Sequence, residues 1–99
     1  MIMDLSVTPN GYVEVYNPEE KVRYFQCFYN LKSVVKGRGF FVILLKSGRI
    51  EVYDYKLTLV SYKVIRDIER VSTDRDLIRI RRHNGSVEFF DRKFQRMAS

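Results

Sequence analysis

A chain of 99 residues is long enough for one hydrophobic core and too short for two, so we expect a single domain over residues 1–99. Hydrophobic residues make up 45% of the sequence, with seven Tyr and seven Phe, which excludes a disordered chain in spite of its 30% charged residues. The longest apolar run, Phe40–Leu45, is much shorter than the roughly 20 residues of a membrane-spanning helix, and the N-terminus lacks a leader pattern, so we expect an intracellular protein without a membrane span.

The net charge of +6 is unevenly distributed along the chain. Residues 1–37 hold four basic and four acidic groups, whereas residues 38–99 hold fourteen basic and eight acidic groups. A basic surplus favours polyanions such as nucleic acid or an anionic membrane surface, although many basic domains use it only for solubility. A polyanion site, if the chain has one, is therefore expected in the later two thirds.

Three segments of the sequence repeat one another. Gly11, Gly48 and Gly85 are separated by 37 residues both times, and the segments 10–17, 47–54 and 84–91 align without a gap. After each glycine, apolar residues alternate with polar ones, and a glutamate, an aromatic residue and an Asn or Asp recur at fixed positions. Alternation at a period of two indicates a half-buried strand, so each copy is predicted to be a β-hairpin that needs its neighbours to cover its apolar face.

The first hairpin is predicted to turn through the three-residue loop Pro9–Gly11, because proline suits the second position of a type I turn and glycine suits a left-handed one. This register places Val7 opposite Val13 and Leu5 opposite Val15. The hairpin would then have one apolar face.

The middle of the chain is predicted to hold three further strands, Val22–Tyr29, Phe40–Leu45 and Leu57–Ile65, which are rich in β-branched and aromatic residues. Phe40–Leu45 is apolar on both faces, so it is either central in the fold or covered on its second side by a partner chain. The connecting segments 30–35 and 67–72 each suit a helical turn. These elements bring the total to about eight strands.

The third hairpin is predicted to have a two-residue turn, Asn84-Gly85, of the primed type. That register sets Ile80 opposite Phe89 and Arg81 opposite Glu88, which gives an apolar face and an ion pair on the other face. The segment 91–97 that follows is predicted to be a short C-terminal helix.

Catalytic and metal chemistry find little support in the sequence. Glu14, Glu51 and Glu88 are expected at outward positions of three separate hairpins, where ion pairing is the ordinary role. His83 is the only histidine and Cys27 the only cysteine, so neither a two-histidine metal site nor a cysteine cluster fits within one chain. His83 is expected in a solvated loop and Cys27 as a small buried hydrophobe. We therefore expect no enzyme activity, cofactor, metal or small-molecule substrate.

A basic sheet face is the most suggestive functional feature. Arginine pairs with phosphate and aromatic rings stack on bases, so such a face suits single-stranded nucleic acid. The alternative is a solvated face, because six acidic groups accompany the nine basic ones after residue 65. The candidate nucleic-acid-binding residues are Arg79, Arg81, Arg82, Arg49 and Tyr53.

The segment "VSTDRDLIRIRRHNGSVEFFD", residues 71–91, resembles one blade of a β-propeller, in which a strand, an Asn-Gly turn and a strand ending in aromatic-Asp recur. A closed propeller needs more blades than 99 residues supply, so this resemblance implies self-assembly or closure as a small barrel. "RDIERV" followed by two strands also resembles the later half of pleckstrin-homology-like domains.

The whole chain, rich in Tyr and Arg with one alanine and two glutamines, is similar to the small orphan proteins of filamentous archaeal viruses, the lipothrixviruses and rudiviruses. That resemblance implies a viral protein of unknown biochemical role in the host cytoplasm or the virion, thermostable and homo-oligomeric.

These observations predict an all-β, mainly antiparallel domain in which a three-fold 37-residue hairpin repeat forms a small barrel, a sandwich or a blade-like stack. The predicted function is a non-catalytic interaction or assembly protein, with a homodimer as the preferred state. A nucleic-acid-binding module is the alternative.

Overall fold

The computed structural model describes residues 3–97, and every helix or strand assigned in that range is a β-strand. The strands are β1 (Asp4–Val7), β2 (Tyr12–Asn17), β3 (Val22–Cys27), β4 (Leu31–Lys36), β5 (Phe40–Leu45), β6 (Arg49–Asp54), β7 (Leu59–Val64), β8 (Ile68–Asp74), β9 (Leu77–Arg82), β10 (Val87–Phe90) and β11 (Arg96–Met97). The all-β prediction is confirmed, with more strands than the eight expected.

The strands form three antiparallel meanders in chain order. Blade 1 contains β1 to β3, blade 2 contains β4 to β7, and blade 3 contains β8 to β11. Each blade is an open sheet, and the three blades stack face to face. The sequence repeat therefore corresponds to a blade-like stack, one of the three arrangements predicted.

The 37-residue period is preserved in the pairing of the two strands of each repeated hairpin. Asp4 pairs with Tyr16 in blade 1, and the pairs 41–53 in blade 2 and 78–90 in blade 3 occupy the same place. All three hairpins turn through three residues with glycine last, at φ values of 93°, 91° and 89° for Gly11, Gly48 and Gly85. The predicted register of the first hairpin, with Val7 opposite Val13 and Leu5 opposite Val15, is confirmed.

The predicted register of the third hairpin is wrong. Its loop is His83–Gly85 rather than Asn84-Gly85, because the Arg82 N–H donates to the Ser86 carbonyl oxygen at 2.9 Å. Ile80 therefore pairs with Glu88 and Arg81 with Val87. Arg79 and Arg81 still lie on the face away from the core, because the changed register places Glu88, and not an arginine, on the same face as the buried Ile80.

The two predicted helical turns are strands, β4 and β8, and the predicted C-terminal helix is a turn followed by β11. A β-bulge interrupts β4 between Leu31 and Ser33 and β8 between Ile68 and Arg70. A bulge inserts one residue, so the spacing between apolar residues on one face becomes three instead of two. That spacing resembles one helical turn, which explains the wrong prediction.

The hydrophobic core lies in two layers, one at each junction between blades. Val13, Val15 and Phe28 of blade 1 and its following connection pack against Phe41 and Ile43 of blade 2. The second layer lies between blades 2 and 3 and contains Phe40, Val42, Leu44, Ile50, Val52, Ile65, Ile68, Val71, Ile78, Ile80, Phe90 and Phe94. Strand β5 contributes to both layers, which confirms its central position.

Candidate functional site

Each blade has two faces, which we name by the repeat. The front face carries the repeated glutamate, and the back face carries the β-branched residue one position before it, which is Val13, Ile50 or Val87. The back of blade 1 packs on the front of blade 2, and the back of blade 2 packs on the front of blade 3. The front of blade 1 and the back of blade 3 are therefore open, and they form the candidate interaction faces.

The open back face of blade 3 combines arginine with apolar side chains. Arg79 and Arg81 project from β9 beside Val87 and Phe89 of β10, and Met97 is opposite Phe89. Val87 is 38% and Met97 42% exposed. In the repeat, Arg79 and Arg81 align with Val42 and Leu44, which are buried on the back of blade 2. The back of blade 3 is therefore basic at two positions where the back of blade 2 is apolar.

The open front face of blade 1 is aromatic and acidic. Phe25 is 66% exposed and stacks on Tyr12 with ring centroids 5.9 Å apart. Arg23 lies over the Tyr16 ring and pairs with Glu14 at 3.2 Å. On β1 the front face continues with exposed residues 4 and 6, an Asp and a Ser, where blades 2 and 3 have buried aromatic or branched residues.

The five predicted nucleic-acid-binding residues do not share one face. Arg79 and Arg81 lie together on the back of blade 3, whereas Arg82 lies on its front. Arg49 and Tyr53 belong to the front of blade 2, at its junction with blade 1. Tyr53 is only 5% exposed, so its ring does not lie on the open surface that a nucleic-acid-binding residue requires.

The repeated glutamates each have an arginine partner in their own blade. The ion-pair distances are 3.2 Å for Glu14, 2.7 Å for Glu51 and 2.8 Å for Glu88, with residues 23, 49 and 82 as partners. Glu51 is 7% exposed, so the outward position predicted for it is wrong, and Glu88 points to the inner face. Arg81, the partner expected for Glu88, lies 3.5 Å from Glu69 instead.

Glu51 organises a small polar cluster at the junction of blades 1 and 2. Its carboxylate accepts from Arg49 Nε at 2.7 Å and from the Tyr53 hydroxyl at 3.1 Å, and the Arg49 guanidinium stacks over the Tyr62 ring at 3.9 Å. Burial, reinforced by the Glu51 charge, raises the pKa of Tyr53 to about 12. The hydrogen bond to Glu51 also raises the pKa of Arg49. The cluster therefore consists of a fixed ion pair and a neutral phenol, and its interactions are structural.

His83 and Cys27 are far apart in the stack. His83 lies in the β9–β10 turn of blade 3, Cys27 ends β3 on the front of blade 1, and blade 2 lies between them. Cys27 is exposed, so the prediction that it is buried is wrong. Between residues 3 and 97, no group of three or more His, Cys, Asp or Glu side chains could hold a metal ion. In the same range no helix is long and apolar enough to cross a membrane.

The sequence analysis did not predict the front face of blade 1 as a candidate interaction face. The signal is present in the repeat alignment, since Asp4 and Ser6 align with Phe41 and Ile43 of the second copy. Polar residues at positions that are apolar in the other copies indicate a face with a different environment.

No family model and no curated protein matches the chain. Among solved structures, the chain is similar to the crystal structure of HIRA(644-1017), with a TM-score of 0.69 and 6% sequence identity. The match covers 97% of this chain and 35% of the HIRA chain, so this chain spans about a third of the structure it matches. At this identity the likeness shows the fold alone, which is a stack of antiparallel β-blades.

Proposed function

We propose that this chain is a non-catalytic assembly protein that stacks head to tail on a second copy of itself, with the back of blade 3 against the front of blade 1 of the partner. The observation that carries the proposal is that the two open faces occupy the same repeat positions as the faces that pack together within the chain. A repeat unit needs its neighbours to cover its apolar face, and a second copy supplies the next unit in the series.

Charge complementarity supports this occupant. In the packed junction between blades 2 and 3, residues 42 and 44 of β5 belong to the same core layer as residues 78 and 80 of β9. By the repeat, the next junction would bring Arg79 and Arg81 towards Asp4 and Ser6 of the partner. Arg79 has no carboxylate partner among residues 3–97, and Asp4 has no cationic partner there. Each face thus offers the charge that the other lacks.

Apolar side chains on both faces supply contact area. Phe89, Val87 and Met97 surround the arginines on the back face, and Phe25 and Tyr12 lie on the front face. Aromatic residues, Met and Arg are the side chains that are enriched in specific interfaces. A head-to-tail contact of this kind is heterologous and forms a ring when the rotation closes, so a dimer would contain six blades. A viral origin, a location in host cytoplasm or virion, and thermostability remain predictions of the compositional resemblance alone.

A charge-swap experiment tests the proposal. One variant carries Arg79→Glu with Arg81→Glu, and the other carries Asp4→Lys with Glu14→Lys. Each variant alone brings like charges together at both junctions, so each should be monomeric by light scattering where the wild type is a dimer. Mixed together, the two should form a heterodimer, because acidic back meets basic front at one junction and the native pair meets at the other.

Wild-type protein that is monomeric at concentrations up to the millimolar range would contradict the proposal, and so would a mixture that stays monomeric. Arg75→Glu, which changes charge at the β8–β9 turn outside both faces, is the matched control and should leave the dimer intact. Single-stranded nucleic acid is the competing occupant of the back face, since Arg70, Arg79, Arg81 and Phe89 lie there. A salt-sensitive mass increase with an oligonucleotide, in a protein that is otherwise monomeric, would replace self-assembly with nucleic-acid binding.

A further inference from the structure

Four basic residues, Lys32, Lys46, Arg66 and His83, line one cleft between blades 2 and 3. The cleft lies at the edge of the blades that carries the three glycine turns. Lys46 comes from the β5–β6 turn, Arg66 from the β7–β8 connection, and His83 from the β9–β10 turn. Lys32 of β4 completes the group, and Asp67 is the one acidic residue among the lining residues. The cleft, which we call the basic cleft, has a volume of about 350 Å³. That volume lies in the range of small-ligand sites.

The loops that carry these side chains are held together by main-chain hydrogen bonds. The Lys46 N–H donates to the Asn30 carbonyl oxygen at 2.7 Å, and the His83 N–H donates to the Asp67 carbonyl oxygen at 3.0 Å. The Ile65 N–H donates to the Gly48 carbonyl oxygen at 3.1 Å. The backbone positions of the cationic residues are therefore fixed before any ligand arrives, which lowers the entropy lost on binding.

The lysines and the arginine that line the basic cleft form no ion pair with a carboxylate among residues 3–97. The ion pairs found among residues 3–97 involve six arginines, residues 23, 49, 81, 82, 92 and 96, and none of these lines the cleft. Lys32, Lys46 and Arg66 are exposed and pair with no carboxylate in that range. Three cations beside the single carboxylate of Asp67 leave a net repulsion, and a bound anion reduces it.

From this arrangement we propose that the basic cleft binds a small anion carrying a diphosphate group. Lysine and arginine bind phosphate oxygens through charge-assisted hydrogen bonds, and the three cations of the cleft outnumber its one carboxylate, Asp67, so a net positive charge remains for an anion with more than one phosphate. The apolar floor, which includes Leu44 and Ile65, limits the space to a small molecule. The cleft lies within one chain, so the proposal stands apart from self-assembly and from the open faces.

The test is an NMR titration of the full chain with inorganic pyrophosphate, in parallel with ADP, at constant ionic strength. Saturable shifts should appear at the amides of Ser47, Gly48, Asp67 and His83. Lys46→Gln and Arg66→Gln should each weaken binding about tenfold, because each removes one charge-assisted contact. Lys93→Gln is the matched control, because Lys93 is exposed and lies between β10 and β11, at the edge of the blades opposite the glycine turns. This variant should keep the affinity within about twofold of wild type.

Tighter binding of ADP than of pyrophosphate would identify a nucleotide as the source of the diphosphate, and equal binding would identify the free anion. Shifts that never saturate, or an equal loss in the Lys46, Arg66 and Lys93 variants, would overturn the proposal, since both results describe screening of net charge. The three substituted side chains are exposed, so the dispersed spectrum of a folded chain should persist in every variant.

Discussion

The three turn glycines allow one substitution to be tested in three environments. Gly11, Gly48 and Gly85 have φ values of 93°, 91° and 89°, so Gly→Ala brings nearly the same dihedral strain at each position, about 1–2 kcal/mol. The reduced entropy of the unfolded chain offsets about 0.4–1 kcal/mol of it in all three. Differences among the three variants therefore measure what the new methyl group meets in the folded state.

The surroundings of the three positions differ sharply. A Cβ at Gly85 would have no neighbour within 4 Å, one at Gly48 would lie 3.0 Å from the Ile65 carbonyl oxygen, and one at Gly11 would overlap the Phe28 carbonyl oxygen. We expect losses in the free energy of unfolding of about 1 kcal/mol at Gly85 and about 2 kcal/mol at Gly48. At Gly11 we expect about 3–5 kcal/mol, because the backbone that must move also holds the Phe28 N–H to the Gly11 carbonyl oxygen at 2.8 Å.

Urea denaturation at constant protein concentration measures these losses through the transition midpoint with an unchanged slope. Thermal melts should show shifts of roughly 4–8 °C for each kcal/mol in a domain of this size. Equal losses at the three positions would refute the reasoning, because they would mean that dihedral strain alone determines the effect and that the contact with residue 28 has no energetic weight.

Further predictions concern the core, the polar cluster and the turns. Gly37→Ala should lower the free energy of unfolding by about 1–3 kcal/mol, because its Cβ would overlap the buried ring of Phe40, and calorimetry would show this as a lower melting temperature. The raised pKa of Tyr53 means that the folded state favours the neutral phenol, so its contribution to stability is complete below pH 10 and is lost between about pH 10 and 12. Tyr53→Phe removes that loss and also the hydrogen bond to Glu51, so urea midpoints should show the wild type more stable by about 1 kcal/mol at pH 8, with the difference shrinking above pH 10. Asp54→Ala should destabilise the chain by about 1–2 kcal/mol in urea, and Asp54→Asn by much less, because the side-chain oxygen accepts two backbone N–H groups at 2.9 Å in the β6–β7 turn.

The repeat was readable from sequence because its spacing is constant and glycine is required at a positive φ in each turn. The position of each face was harder to predict, since alternation tells which residues share a face but not which face is covered. Tyr53 illustrates the limit: its pattern equals that of the more exposed Tyr16, yet blade 1 lies over it. The bulges in β4 and β8 set a second limit, because one inserted residue converts a strand pattern into the spacing of a helical turn.

The polarity of the two open faces supports the proposed head-to-tail contact over a pair of end caps. Terminal units of a repeat array become soluble with any mixture of charged residues on the outer face, and large apolar groups are avoided there. Here Phe25 is left 66% exposed on one face, and Val87 and Met97 are exposed on the other. The charges are also separated: within residues 3–97, Asp4 on the first face has no basic partner and Arg79 on the second face has no acidic partner. End caps require neither exposed apolar groups nor separated charges, whereas the proposed contact between the two faces requires both.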